Sequence, residues 1–215
     1  MKRTIIFGDI HGCLDEWKEL MDKLAVTAED HLISVGDMIC RGPFSAQVLD
    51  LAMSLSNFTY ILGNHELRFL NSWREGLIPN TKSYDLETVW QMSDRFENYM
   101  NFIASKFLYV DLPEAIVVHA GLRPDIPLHE QTPRDLTEIR EVEADGRPWY
   151  EHYQGRKPVV FGHWVRKEPL IRENVIGLDT GCVYGGKLSA YILPEARIVT
   201  VSARKGYKIR SKPWA

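Results

Sequence analysis

Lys2-Arg3-Thr4-Ile5-Ile6-Phe7-Gly8-Asp9-Ile10-His11-Gly12 is the stretch on which the fold turns. Lys2 to Phe7 reads as a strand, and a polar turn bracketed by glycines breaks it at once. Apolar residues then recur at Leu14, Trp17, Leu20, Met21 and Leu24, one face of a helix at 3.6-residue spacing. The unit repeats. His31 to Val35 is a second short strand and Gly36 to Gly42 a loop. Pro43 suits the first turn of a helix that carries Val48, Leu49, Ala52 and Leu55. Phe58 to Leu62 is a third strand, closed by Gly63-Asn64-His65-Glu66.

Farther along, residues 85–107 read as one long helix with Leu86, Val89, Trp90, Phe96, Met100 and Ile103 apolar. Ala115 to Val118 is a strand running into His119-Ala120-Gly121. Residues 123–155 are rich in charge and proline and read as loop with one helix near Pro133 to Val142. Pro158 to Phe161 is a strand ending at Gly162-His163. Val175 to Leu178, Leu188 to Leu193 and Ile198 to Val201 make the tail all-β. A βαβαβ start with a β-rich end predicts an α/β domain of mixed sheets covered by helices. The 215 residues fit a single domain, 1–215.

Composition narrows the function classes. Hydrophobic residues make up 45% and charged ones 26%, enough to bury a core. A formal net charge of −3 lacks the basic excess that a nucleic-acid polymer or an anionic membrane selects. No stretch reaches the apolar length that spans a bilayer. The amino-terminal apolar run stops at Gly8-Asp9, too short for the core of a secretory signal. Cys13, Cys40 and Cys182 form no CxxC pair, an odd count that suits a reducing cytoplasm.

Five polar clusters carry the chemistry: Asp9/His11, Asp37, Asn64/His65, His119 and His163. Each directly follows an expected strand. In open α/β sheets ligands bind beyond the carboxyl ends of the strands, so five loops can deliver these side chains into one crevice. Carboxylate, imidazole and amide oxygen suit manganese, iron, zinc or cobalt. Asp9 and His11, two apart on extended chain, point to one side and can grip one ion. Asn64, His119 and His163 can hold a second, and Asp37 is the candidate for the carboxylate shared by both. Taken singly, each of these is an ordinary turn or core residue. The conjunction decides, because four of the seven histidines sit at strand ends inside glycine-bracketed loops. His31, His129 and His152 lack that setting and read as structural or solvent-facing.

Together these segments resemble the phosphoprotein-phosphatase type of calcineurin-like metallophosphoesterases. The likeness rests on Gly8-Asp9-Ile10-His11-Gly12, Gly36-Asp37-Met38-Ile39-Cys40-Arg41-Gly42, Gly63-Asn64-His65-Glu66, His119-Ala120-Gly121 and Gly162-His163, in that order. It implies a calcineurin-like fold, two mixed β-sheets packed as a sandwich with helices outside. It also implies metal ligation by Asp9, His11, Asp37, Asn64, His119 and His163, and hydrolysis of phosphate esters or anhydrides by a metal-bound hydroxide. The cofactors would be two divalent ions, manganese first, with iron, zinc, cobalt or magnesium as alternatives. His65 would be the general acid for the departing oxygen. Arg41 and Arg140, the latter in Glu138-Ile139-Arg140-Glu141, would hold phosphate oxygens with a planar fork.

The branch is read from smaller features. Protein phosphatases of this type usually carry Asp where this chain has Cys40, and that Asp orients the catalytic histidine. Diadenosine tetraphosphate hydrolases also lack it. They resemble this chain in Arg41-Gly42-Pro43, in Phe161-Gly162-His163-Trp164 and in Leu178-Asp179-Thr180-Gly181-Cys182. The expectation is therefore a dinucleoside polyphosphate hydrolase, with a serine/threonine protein phosphatase as the alternative. A non-catalytic phospho-binding module and a phosphodiesterase rank behind both. Substrates would be phosphorylated small molecules or phosphoproteins, with Trp164 available to stack on a base and Tyr184 to flank the leaving group. Between His119 and His163 stand only Ala120 to Gly162, a shorter connection than in the symmetrically cleaving bacterial enzymes.

Overall fold

The structure, a computed structural model, describes residues 3–210. Lys2, the expected head of the first strand, lies outside them. The first half alternates as β1 (Thr4–Phe7), α1 (Leu14–Lys23), β2 (His31–Ser34), α2 (Ser45–Ser54), β3 (Phe58–Tyr60) and α3 (Asn64–Arg74). Then come α4 (Ser83–Met92), α5 (Phe96–Ala104), β4 (Tyr109–Asp111), β5 (Ile116–Val118), α6 (Pro133–Glu138) and α7 (Trp149–His152). The chain continues through β6 (Val159–Phe161), β7 (Leu170–Arg172), β8 (Val175–Gly177), β9 (Lys187–Leu193) and β10 (Arg197–Ser202).

Two five-stranded mixed sheets result, ordered β10-β9-β1-β2-β3 and β4-β5-β6-β8-β7. Each has three adjacent parallel strands, β1-β2-β3 in one and β5-β6-β8 in the other. Antiparallel strands complete the edges. Side chains alternate across each strand, and that period of two builds the layers. Ile6, Ile33 and Tyr191 of the first sheet meet Val117, Val160 and Ile176 of the second in a core between the sheets. Ile5, Phe7 and Leu32 point the other way, into Trp17, Leu20, Val48, Leu49 and Phe69 of the covering helices. The outer face of the second sheet buries Val118, Val159 and Phe161 against Leu136 and Trp149. Among the described residues no helix is long and apolar enough to cross a membrane.

Three local expectations are corrected and four elements are added. Pro43 precedes the second helix instead of opening it. Gly42-Pro43-Phe44 is spent on a turn in which Phe44 N–H donates to Gly12 O, and Ser45 starts the helix with its Oγ accepting from Cys40 N–H. The expected helix over 85–107 is two helices, broken where Ser93 enters the left-handed region at φ 46°. The break leaves Trp90 88% and Leu86 56% exposed instead of on a common buried stripe. The helix near 133–142 stops at Glu138, and a further short one, α7, was not expected. Neither were α3, β4 and β7.

Candidate metal centre

Six parallel strands end at the same crevice. From the first sheet, Asp9 and His11 follow β1, Asp37 follows β2, and Asn64 and His65 follow β3. From the second, His119 follows β5, His163 follows β6 and Asp179 follows β8. To turn its side chain inward the backbone is bent out of its usual range. His11, Asp37, Cys40, Arg41 and His163 all take positive φ, at 47°, 49°, 72°, 68° and 61°. Non-glycine residues rarely do so, and such strain collects at functional sites. The loops also approach too closely for bulk: a Cβ at Gly63 would run into Asp37 Oδ1, and one at Gly162 into Asp9 Oδ1.

Asp37 is the hinge of the arrangement. Its Oδ2 lies 3.5 Å from His11 Nε2 and 3.8 Å from His65 Nε2, whereas its Oδ1 lies 3.5 Å from His119 Nε2. The two oxygens of one carboxylate thus face two separate sets of imidazoles. Asn64 Oδ1 is 3.1 Å from His119 Nε2 and 3.0 Å from His163 Nδ1. Both oxygens of Asp9 accept from the His163 backbone N–H, at 3.1 Å each, which ties the first sheet's loop to the second's. The rings are aimed by their other nitrogens. His11 Nδ1 meets Ile39 O at 3.0 Å and His119 Nδ1 meets Val35 O at 2.9 Å, so each Nδ1 carries the proton and each Nε2 lone pair turns into the site. All six expected ligands are brought together.

The electrostatics ask for a cation. Burial pushes Asp37 and Asp179 up to about 6, and pushes Asp9 well above the usual range, with Asp179 and Asp37 adding repulsion. Burial also lowers His119 to about 4 and holds His11 and His163 well below the ordinary imidazole value. Carboxylates crowded in low dielectric, beside imidazoles that resist protonation, suit a divalent ion, which stabilises the anions and takes neutral rings as ligands. The donor groups His11–Asp37–His65 and Asp37–His119–His163 each have their ligand atoms within 4.8 Å of one another, and Asp37 belongs to both. These residues fit divalent ions of the kind the sequence motifs imply.

A cleft of about 830 Å³ opens over this centre, lined by Asp37 and Asn64 and by Arg41, Arg140, Trp164 and Tyr184. Arg41 donates to His11 Nε2 at 2.5 Å, and its guanidinium lies between the rings of Tyr84 and Tyr184. Arg140 is exposed and reaches the His163 carbonyl at 3.4 Å. Trp164 lines the cleft with Tyr150 packed on it at 5.9 Å and Arg166 over its ring at 4.9 Å, so its faces are partly taken. Lys82 and Lys208 add positive charge to the rim.

Glu66, Arg68 and Asp85 are contributors that sequence reasoning misses. Glu66 is fully buried, and its carboxylate accepts from the backbone N–H groups of Asp37, Met38, Ile39 and Gly63 at 2.9–3.1 Å. It therefore holds the Asp37 loop in place. Arg68 reaches His65 Nδ1 and is itself held by Asp85. Asp179 caps a turn through Gly181 N–H on Oδ1, while its buried Oδ2 has no protein partner. The signal for Glu66 and Arg68 was helical spacing from His65, invisible while α3 went unrecognised. The fold also brings together two thiols far apart in sequence: Cys13, Cys182 and Glu16 are buried with their donor atoms within 4.8 Å.

Comparisons with known proteins agree with this fold. The family model "Calcineurin-like phosphoesterase" matches residues 2–193. The asymmetrical bis(5'-nucleosyl)-tetraphosphatase PrpE of Anoxybacillus flavithermus is 33% identical, over 94% of this chain and 95% of its own. The symmetrical bis(5'-nucleosyl)-tetraphosphatase of Vibrio parahaemolyticus is 27% identical, over 93% and 98%. A crystal structure of a provisionally named diadenosine tetraphosphatase superposes with TM-score 0.83 at 29% identity, over 94% of each chain. A serine/threonine phosphatase from Saccharomyces cerevisiae shares the fold, with TM-score 0.65 at 17% identity, over 99% of this chain and 81% of that one.

Proposed function

The chain belongs to the calcineurin-like phosphoesterase family, and on that footing we propose that it hydrolyses dinucleoside polyphosphates such as diadenosine tetraphosphate, cutting them asymmetrically. It is a metal-dependent hydrolase of phosphate esters or anhydrides. The observation that carries the finer reading is the cleft beyond the ligand cluster. Its wall sets Arg41, Arg140, Lys82 and Lys208 beside Tyr84, Tyr184 and Trp164, cations for a run of phosphates and rings for the nucleosides. The asymmetrical cut is favoured by the greater identity to the asymmetrical relative, 33% against 27%.

Asp9, His11, Asp37, Asn64, His119 and His163 would hold two divalent ions, manganese first among them, with Asp37 common to both. When bound, such a pair supplies Lewis acidity and activates water at neutral pH. The chain's own residues do the rest. Arg41, wedged between two tyrosines, presents a fixed fork to the phosphoryl oxygens and opposes charge as it grows on them. Arg140 reaches the same centre from the second sheet, beside His163. His65 Nε2, buried and without a protein partner, faces the centre where the departing oxygen would lie. A cytoplasmic setting is part of this reading, supported by three widely spaced cysteines that form no CxxC pair.

The test is turnover of diadenosine tetraphosphate and of a phosphoserine peptide by the manganese-loaded chain, with products separated by chromatography. ATP and AMP from the dinucleotide, with little phosphate from the peptide, are expected. ADP alone would reverse the asymmetrical assignment. Faster release from the peptide would replace the substrate class with that of a protein phosphatase.

A further inference from the structure

We propose that Arg68 is a positioning residue that fixes His65 as an Nε2–H donor, which suits the site to leaving groups that depart as stable anions. This rests on the reading of His65 as the group facing the departing oxygen. Arg68 lies one turn after His65 on α3, and its Nη2 stands 3.2 Å from His65 Nδ1. A guanidinium has no lone pair to offer, so Nδ1 must accept and the ring proton must sit on Nε2. The guanidinium is itself held by buried Asp85, through Nη2 to Oδ1 at 2.6 Å and Nε to Oδ2 at 3.3 Å. Asp85 is anchored in turn by Lys82 N–H and the Thr81 hydroxyl. Tyr84 stacks on the imidazole at 5.4 Å, and His65 N–H donates to Asp37 Oδ1. Ring position, ring plane and tautomer are all determined.

The contrast with the neighbouring histidines sharpens the point. His11 and His119 face backbone carbonyls through Nδ1, which places the proton there and makes each Nε2 an acceptor, met by Arg41 at His11 in this structure. His65 faces a donor instead, so its Nε2 has a proton and no lone pair. It is thereby withdrawn from the group His11–Asp37–His65, which by distance alone could hold a metal. Cys40, buried beside Thr88, offers no charge to take over this task.

The consequence concerns the bond that breaks. Water oxygen bonds to phosphorus, the bridging P–O pair goes to the departing oxygen, and the water proton leaves to solvent. A neutral imidazole can give that oxygen a hydrogen bond, but not a whole proton without becoming imidazolate. A nucleotide leaving through its phosphate needs only the former, whereas a seryl alkoxide needs the latter.

The proposal is tested by 15N NMR of the histidine rings in the magnesium-loaded chain, with His65 assigned from His65→Ala, together with kcat and KM on diadenosine tetraphosphate and phenyl phosphate. His65 is expected as the Nε2–H tautomer in the native chain and in Arg68→Lys, and as a mixture or as Nδ1–H in Arg68→Met. Arg68→Met should lower kcat on the dinucleotide about 10- to 100-fold with KM little changed. Arg68→Met/Asp85→Asn, which leaves no lone buried carboxylate, should behave alike. An Nδ1–H ring in the native chain, or an unmoved tautomer in both methionine variants, overturns the role of Arg68. If His65→Ala itself leaves kcat intact, the reading of His65 falls instead.

Discussion

The first sheet sends Asp9, His11, Asp37, Asn64 and His65 into the site from three parallel strands, each followed by a helix. The second sends His119, His163 and Asp179 from three parallel strands of its own, joined by short helices and a hairpin. The plan is shared, but the support is not. Loops of the first sheet are braced from within, by the Glu66 carboxylate on four backbone N–H groups. Residues of the second are braced by the first: His119 by the Val35 carbonyl and His163 by the Asp9 carboxylate. The first sheet is thus the template and the second is fitted to it.

Four substitutions probe that asymmetry. Asp37→Asn removes the charge common to both halves of the site, so both ions should weaken and kcat should fall by more than about 100-fold, beyond what outer partners of a metal site contribute. Metal content by mass spectrometry and turnover on the dinucleotide check this. Retention of two ions per chain would break the view of Asp37 as the hinge. His163→Ala touches the second sheet alone, and metal content should drop from two ions to one. A drop to none would mean that the template cannot hold its own ion. Glu66→Gln keeps the shape but halves the accepting strength under the Asp37 loop, and about 10-fold in metal affinity should be lost, at the low end for an outer partner. Titration with manganese measures it, and an unchanged affinity would show that the loop stands without its brace. Trp164→Ala should do least. With Tyr150 and Arg166 on its faces, the change in KM for diadenosine tetraphosphate should correspond to about 1 kcal/mol or less, the floor of the range for base stacking.

The same contrast explains what could be read from sequence. The first sheet's units announce themselves, since short strands buried on both faces run into Gly-Asp turns and α1 keeps a clean apolar stripe at Leu14, Trp17, Leu20 and Leu24. The six candidate ligands can be singled out because each stands just past a strand end. The helix α3 is hidden by the polar residues it turns inward. Its inward positions are His65, Glu66, Phe69 and Leu70, and the two polar ones erase the apolar period. With it went Arg68 and the brace at Glu66. In the second sheet β4 and β7 are three-residue edges, half-buried or exposed, with no stripe to betray them. The break at Ser93 has no glycine or proline to announce it.

The split of the candidate ligand set across two layers has a thermodynamic corollary. An ion gripped by side chains from both layers is a clasp, bound well only while the layers are closed on each other. By linkage the clasp must tighten that closure as much as the closure tightens the clasp. Manganese at about a thousand times its dissociation constant should raise the unfolding free energy by about 4 kcal/mol, visible as a higher Tm that chelation reverses. Conversely, Val117→Ala or Ile33→Ala, in the apolar packing between the sheets, should surface as looser metal retention before any loss of fold.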